Sequence, residues 1–144
     1  MPPPPGQPSA DWPADLPVSG VRIARPTDQL DAVRSFYRDA LGLAEIDGFE
    51  GHDGYSGIMF GLPGADYHLE FTSHVSGSPG QAPSRDNLTV LYLGSSDEVE
   101  AVADRLSAHG HPPVQAENPY WDKVGAITVE DPDGWRVVLV PGTP

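Results

Sequence analysis

Leu30-Asp31-Ala32-Val33-Arg34-Ser35-Phe36-Tyr37-Arg38-Asp39-Ala40-Leu41-Gly42-Leu43 is the stretch from which the fold is read. Leu30, Val33, Tyr37 and Leu41 recur at helical spacing, with Asp28 placed to cap the helix and Gly42 to stop it. Before it, Val21-Arg22-Ile23-Ala24-Arg25 alternates as a short strand. After it come three strand-like runs, Leu43 to Phe49, Tyr55 to Leu62 and Tyr67 to Thr72. The segments between them, His52-Asp53-Gly54 and Pro63-Gly64-Ala65-Asp66, carry turn chemistry.

The same order then returns. Leu88 to Leu93 reads as a strand, and Ser95 and Glu98 have capping-box spacing. Val99, Val102 and Leu106 follow at helical spacing, and Gly110 stops that helix. A short strand is expected around Val114, and two more at Ala126 to Glu130 and Trp135 to Val140, joined by Asp131-Pro132-Asp133-Gly134. The helix stops Gly42 and Gly110 differ by 68, and the same shift lays Leu69-Glu70-Phe71 on Val137-Val138-Leu139. An internal repeat of this kind is an architectural statement. The sequence predicts a Pro-rich disordered tail (1–19), a first βαβββ module (20–73), a Ser/Gly/Pro-rich linker (74–86) and a second βαβββ module (87–141).

Composition narrows the function. The 144 residues suit one domain, and no apolar run reaches the roughly 20 residues of a membrane helix. With no cysteine there is no disulfide, thiolate metal site or Cys nucleophile. The net charge is -13 and the only lysine is Lys123, which argues against nucleic acid and anionic membranes as partners. No phosphate-cradling Gly loop or Gly-x-Ser-x-Gly elbow is present. Without a secretory pattern at the N-terminus, the cytoplasm is the expected location.

Taken in order, Phe36-Tyr37-Arg38-Asp39-Ala40-Leu41-Gly42-Leu43, Tyr67-His68-Leu69-Glu70-Phe71 and Asp131-Pro132-Asp133-Gly134-Trp135 resemble the vicinal oxygen chelate superfamily, which includes glyoxalases, bleomycin-resistance proteins and extradiol dioxygenases. The resemblance covers about residues 20 to 141. It implies an α+β fold, two βαβββ modules forming a cup-shaped half-barrel of mixed β-sheet, and a homodimer. It also implies a small-molecule ligand, bound by enzymes of several kinds or by non-catalytic drug-binding members. Many of the enzymes hold a divalent metal with one residue from each of four strands, typically His, Glu, His and Glu on the first, fourth, fifth and eighth.

Of those four positions, only Glu70 carries a ligand here. The eighth-strand position is Val138, the first-strand position is Val21 or Arg22, and Asn87 to Leu93 contains no His, Asp or Glu. A metal site of the usual design would be underligated, so no cofactor is expected. A displaced divalent site stays open: His68 and Glu70 share a strand face, and His52, in the preceding turn, would complete a set of two His and one carboxylate.

Without metal, Glu70 is the candidate general base and His68 its partner in proton-transfer, isomerase or lyase chemistry. Asn118, Tyr120 and Trp121 are candidates for a substrate-binding wall, and Arg22 or Arg25 for pairing with Glu70 or a substrate carboxylate. His109 and His111 are read as favourable at a helix C-terminus. Two functions follow from one cup: catalysis on a small oxygenated or aromatic metabolite, or sequestration of one.

Overall fold

The computed structural model describes residues 13–62 and 67–144; most of the Pro-rich tail and the turn at 63–66 lie outside them. The chain folds as α+β, with two open mixed sheets that do not close into a barrel. The first sheet, in order β1-β4-β3-β2, is built from β1 (Val21–Pro26), β2 (Ala44–His52), β3 (Tyr55–Gly61) and β4 (Tyr67–His74). The second, in order β5-β7-β6, is built from β5 (Leu88–Leu93), β6 (Ile127–Glu130) and β7 (Arg136–Pro141). In each, the first strand pairs in parallel with the last and the other pairings are antiparallel. The repeat inferred from the 68-residue shift is therefore present as topology.

The second module is shorter by one strand. The strand expected around Val114 is a single bridge between Val114 and Thr128. Pro112 and Pro113 precede it and offer no N–H to a ladder. Beyond it, Asn118-Pro119 opens a short helix, α3 (Tyr120–Lys123).

The first helix also departs from expectation. α1 (Leu30–Arg34) runs on as a π-helical segment, Ser35–Leu41, closed by the Gly42 N–H donating to the Tyr37 carbonyl at 3.2 Å. Gly42 takes φ +99°, the left-handed stop expected of it. Asp28 does not cap α1. Thr27 Oγ1 accepts the Gln29 N–H at 2.9 Å, while Asp28 accepts the N–H of Ser78. The segment after β4 is thus tied to the domain: the Trp135 indole donates to the Gly80 carbonyl at 2.8 Å and the Ala82 N–H to the Asp133 carbonyl at 2.9 Å.

The second helix, α2 (Ser96–Ala108), starts as predicted, with the Ser95 hydroxyl accepting the Glu98 N–H. It packs on all three strands of the second sheet and on the π segment. One core therefore spans both modules: Phe36, Tyr37, Phe60, Phe71, Leu106, Val129 and Leu139 are all at most 2% exposed. Each large side chain buried this way contributes on the order of 1.5–3 kcal/mol. Among the described residues no helix is long and apolar enough to cross a membrane.

Candidate functional site

Strand alternation decides which side chains can meet. On β4, Leu69 and Phe71 are buried against the helices, so His68, Glu70 and Thr72 lie on the opposite sheet face. Parallel pairing sets Arg22 beside His68 and Ala24 beside Glu70. Antiparallel pairing sets Gly61 and Met59 on their other sides. Arg22 Nε donates to His68 Nε2 at 2.8 Å, and Arg22 Nη1 stands 3.5 Å from Glu70 Oε2. The Glu70 side chain is 13% exposed and that of Arg22 47%. A guanidinium, an imidazole and a carboxylate thus form one contiguous group, with the carboxylate set deepest.

Arg25 is a correction. One strand cannot turn residues 22 and 25 to the same side, and Arg25 takes the side of its neighbour Phe71. There its Nη2 donates to Thr89 Oγ1 at 3.1 Å, and its guanidinium stacks 4.1 Å above the Trp135 ring. It joins the two modules and does not face a ligand on the His68 side.

His52 is a second correction. It pairs with Tyr55, and Tyr55 pairs with His74. His74 lies six residues along β4 from His68, about 20 Å at the usual strand rise. The His52 ring packs near Phe49, 5.8 Å away, and is exposed. The displaced set of His52, His68 and Glu70 is therefore not formed. Among the described residues no group of three or more His, Asp or Glu is placed to hold a metal. Val138 is fully buried and offers no donor atom, and the cation beside Glu70 is Arg22 itself. The residues at the family's four ligand positions do not fit a divalent ion.

Asn118, Tyr120 and Trp121 stand elsewhere. Asn118 Oδ1 accepts the Tyr120 N–H at 3.0 Å, which starts α3. The Tyr120 and Trp121 rings meet edge to face at 5.0 Å. α3 lies against β6, whereas the Arg25–Thr89 bond shows that β5 is the edge turned toward the first sheet. Among the described residues no hydrogen bond, ion pair or ring contact joins these three to the Arg22–His68–Glu70 group.

The sequence reading missed a buried polar junction. Asp131 Oδ1 accepts the N–H groups of Asp133 and Trp135 at 2.8 and 2.9 Å, and its Oδ2 accepts the Tyr37 hydroxyl at 2.7 Å. Burial raises the Asp131 carboxyl above the usual carboxylate range, and the three donors oppose that rise. Burial, then the Asp131 charge, pushes the Tyr37 phenol well above its ordinary value, so it stays a donor. The turn signal at Asp131 foretold the two N–H groups; nothing local foretold Tyr37, 94 residues away. His111 is not a helix-end cation but stacks on Phe36, edge to face at 4.8 Å, and burial lowers its pKa.

A cavity of about 380 Å³ opens between the modules, lined by Leu41, Leu43, Leu62, Tyr67, Tyr92 and Val102 among others. Tyr67 belongs to the helix-facing side of β4, so this apolar space and the Arg22–His68–Glu70 group lie on opposite faces of one strand.

Residues 21–72 match the family of YycE-like N-terminal domains and residues 86–141 the family of YycE-like C-terminal domains. The uncharacterized protein YycE of Bacillus subtilis is 49% identical over 120 residues, 83% of this chain and 86% of the relative. The crystal structure of a Bacillus subtilis YycE protein of unknown function superposes with a TM-score of 0.86 at 45% identity, covering 91% and 95% of the two chains. The trypanothione-dependent glyoxalase I of Leishmania major is similar in fold, with a TM-score of 0.66 at 16% identity over 87% of each chain. So is TnmS3, an antibiotic binding protein from Streptomyces sp. CB03234, with a TM-score of 0.62 at 21% identity over 88% and 98%.

Proposed function

The chain belongs to the YycE-like family, within the glyoxalase and antibiotic-resistance fold of the vicinal oxygen chelate superfamily, and from that premise we propose that it binds a small oxygenated or aromatic metabolite and moves a proton on it without a metal. The observation that carries this reading is the contiguous group of Arg22, His68 and Glu70 on the face of β4 away from the core. Carboxylates are rarely left on a half-buried sheet face without a partner or a purpose.

Glu70 is the base. Its carboxylate takes a proton from a carbon beside a carbonyl, and the C–H electron pair moves to the carbonyl oxygen as an enolate. Where that carbon bears a hydroxyl, the protonated Glu70 delivers the proton to the former carbonyl carbon as the hydroxyl proton passes to the oxyanion; otherwise the enolate re-forms its carbonyl and expels a leaving group from the β carbon. Arg22 and His68 flank the carboxylate and hold the oxygen end of the substrate.

A second reading has its own support. Val138 places a buried apolar residue where a catalytic member would carry a metal ligand, and the chain holds a separate apolar cavity between its modules. On this reading the protein sequesters a compound without turnover.

Deuterium exchange separates the two. Small oxygenated and aromatic compounds that raise the melting temperature would be incubated with the protein in D2O and followed by proton NMR. Solvent deuterium should enter at a carbon beside a carbonyl with the wild-type protein, while Glu70→Gln binds the same compound and exchanges nothing. Binding with no exchange by the wild type would replace catalysis with sequestration.

A further inference from the structure

We infer that Arg22 is a positioning residue that fixes His68 as the neutral Nδ1–H tautomer, so that His68 meets the ligand as a hydrogen-bond donor and never as a base. The tautomer follows from the hydrogen bond alone. Arg22 Nε donates to His68 Nε2 at 2.8 Å, and a guanidinium is protonated at every pH a folded protein meets. The guanidinium is held from a second side as well, with its Nη1 3.5 Å from Glu70 Oε2, which favours keeping the Nε–H turned toward the imidazole. Nε2 must therefore present its lone pair, and the one proton of a neutral imidazole sits on Nδ1.

Nδ1 has no hydrogen-bond partner among the described residues, so that N–H is available. Parallel register explains how the sequence achieves this: Arg22 and His68 are direct neighbours on adjacent strands, on the same face. His68 is left with no free lone pair, which removes it as a proton shuttle. What remains for a ligand on this side is a set of donors, the Nδ1–H and the unused Arg22 N–H groups, in the same cluster as the Glu70 carboxylate.

Such a set of donors selects a class of ligand. It takes compounds that present acceptor oxygens to it, a carbonyl or a carboxylate, and it offers no acceptor to a group that can only donate, such as an ammonium. This rests on the proposed reading of the site. In that reaction the Nδ1–H would hold the oxygen on which the enolate charge develops, a role for a fixed, preorganised donor.

The same strand supplies an internal control. His74 Nδ1 accepts the Ser76 backbone N–H, a group that can only donate, at 3.1 Å, and lies 2.6 Å from the Ser76 hydroxyl, which can turn to donate as well; this favours the opposite, Nε2–H tautomer. Two histidines six residues apart on β4 are thus set in opposite states by their neighbours.

Long-range proton–nitrogen NMR of the uniformly ¹⁵N-labelled protein, at a pH of about 8 where a free imidazole is neutral, reads each ring directly. His68→Gln assigns the signals. In the wild type His68 should be protonated on Nδ1 and His74 on Nε2. In Arg22→Leu, which keeps the apolar stem, His68 should shift toward the Nε2–H form while His74 stays unchanged and reports an intact sheet. An Nε2–H form of His68 in the wild type would overturn the inference, as would an Nδ1–H form that survives Arg22→Leu. No substrate is needed for this measurement, so its failure is distinct from an absence of deuterium exchange, which would count against the proposed reaction only.

Discussion

Replacing Tyr37 with Phe removes one oxygen from the centre of the molecule and little else. The ring is fully buried and stacks near Phe71 and Phe60, at 4.7 and 5.9 Å, and those contacts remain. What is lost is the 2.7 Å hydrogen bond to Asp131 Oδ2, which ties the π segment to the turn before β7. A hydrogen bond to a charged group contributes about 1.5–3 kcal/mol. Asp131 keeps its two backbone donors on Oδ1, so the loss is one bond and not the whole turn. For a chain of this size about 3 °C accompanies each kcal/mol, and the melting temperature should fall by about 5–9 °C at pH 7, read by calorimetry. The cost should depend on pH. Burial raises the folded-state pKa of Asp131, so from the ordinary carboxylate value up to that raised value the native state holds the proton more tightly than the unfolded chain. Stability from this group is present at low pH and is lost as pH rises through the window. Above it Asp131 is an anion in need of donors, and below it a carboxylic acid. The Tyr37→Phe penalty should therefore be larger at pH 7 than at pH 4, and Asp131→Asn, which has no charge to solvate, should flatten the difference. A shift below 1 °C, or an equal shift at both pH values in both backgrounds, would refute the account of the junction.

Two further outcomes are expected. His111 lies against Phe36, and burial, with the neighbouring His109 charge, lowers its pKa; its contribution to stability is complete above the ordinary histidine value and is lost as pH falls toward the lowered one. The wild-type melting temperature should drop on acidification through that window, and His111→Gln should drop less; equal slopes would remove His111 as the cause. A homodimer is the second: Ile23, Tyr67 and Tyr92 stay exposed within one chain even though β1 and β5 are joined through Arg25 and Thr89, and such apolar surface is usually covered. Light scattering coupled to gel filtration should give twice the chain mass of 15.3 kDa, and Ile23→Lys with Tyr92→Lys should return it to the single mass; a wild-type monomer at all concentrations would defeat the idea.

The fold was legible because its signals are local and repeated. Gly42, Ser95 and Asp131 each mark a helix stop, a cap or a turn by their own chemistry. The π segment was not, since a helix closed at five residues buries Phe36, Tyr37, Ala40 and Leu41 without breaking the apolar stripe that announces it. The missing strand at Val114 was foreshadowed by Pro112-Pro113, whose effect on the ladder is clear only once Thr128 is seen as the single partner.

The site divided along the same line between local and long-range information. Which residue types occupy the family's ligand positions can be counted from the chain, where Glu70 alone has a ligand side chain; burial of Val138 is what the fold adds. Which of two arginines faces Glu70 could not be counted, because alternation separates Arg22 from Arg25 without saying which face is which. Pairing with β4 decides it, and the same sheet, continued through β3 to β2 with its two register shifts, carries His52 away. Arg22 is one of the two residues at the first-strand position where the family's pattern puts a histidine ligand, and its guanidinium stands beside the one surviving carboxylate. A fixed positive charge that cannot dissociate does there what a bound cation does for a carboxylate, while leaving no open coordination position for substrate oxygens. On the proposed reading the chemistry of such a site is hydrogen bonding and proton movement, and the inferred tautomer of His68 would then decide which ligands it holds.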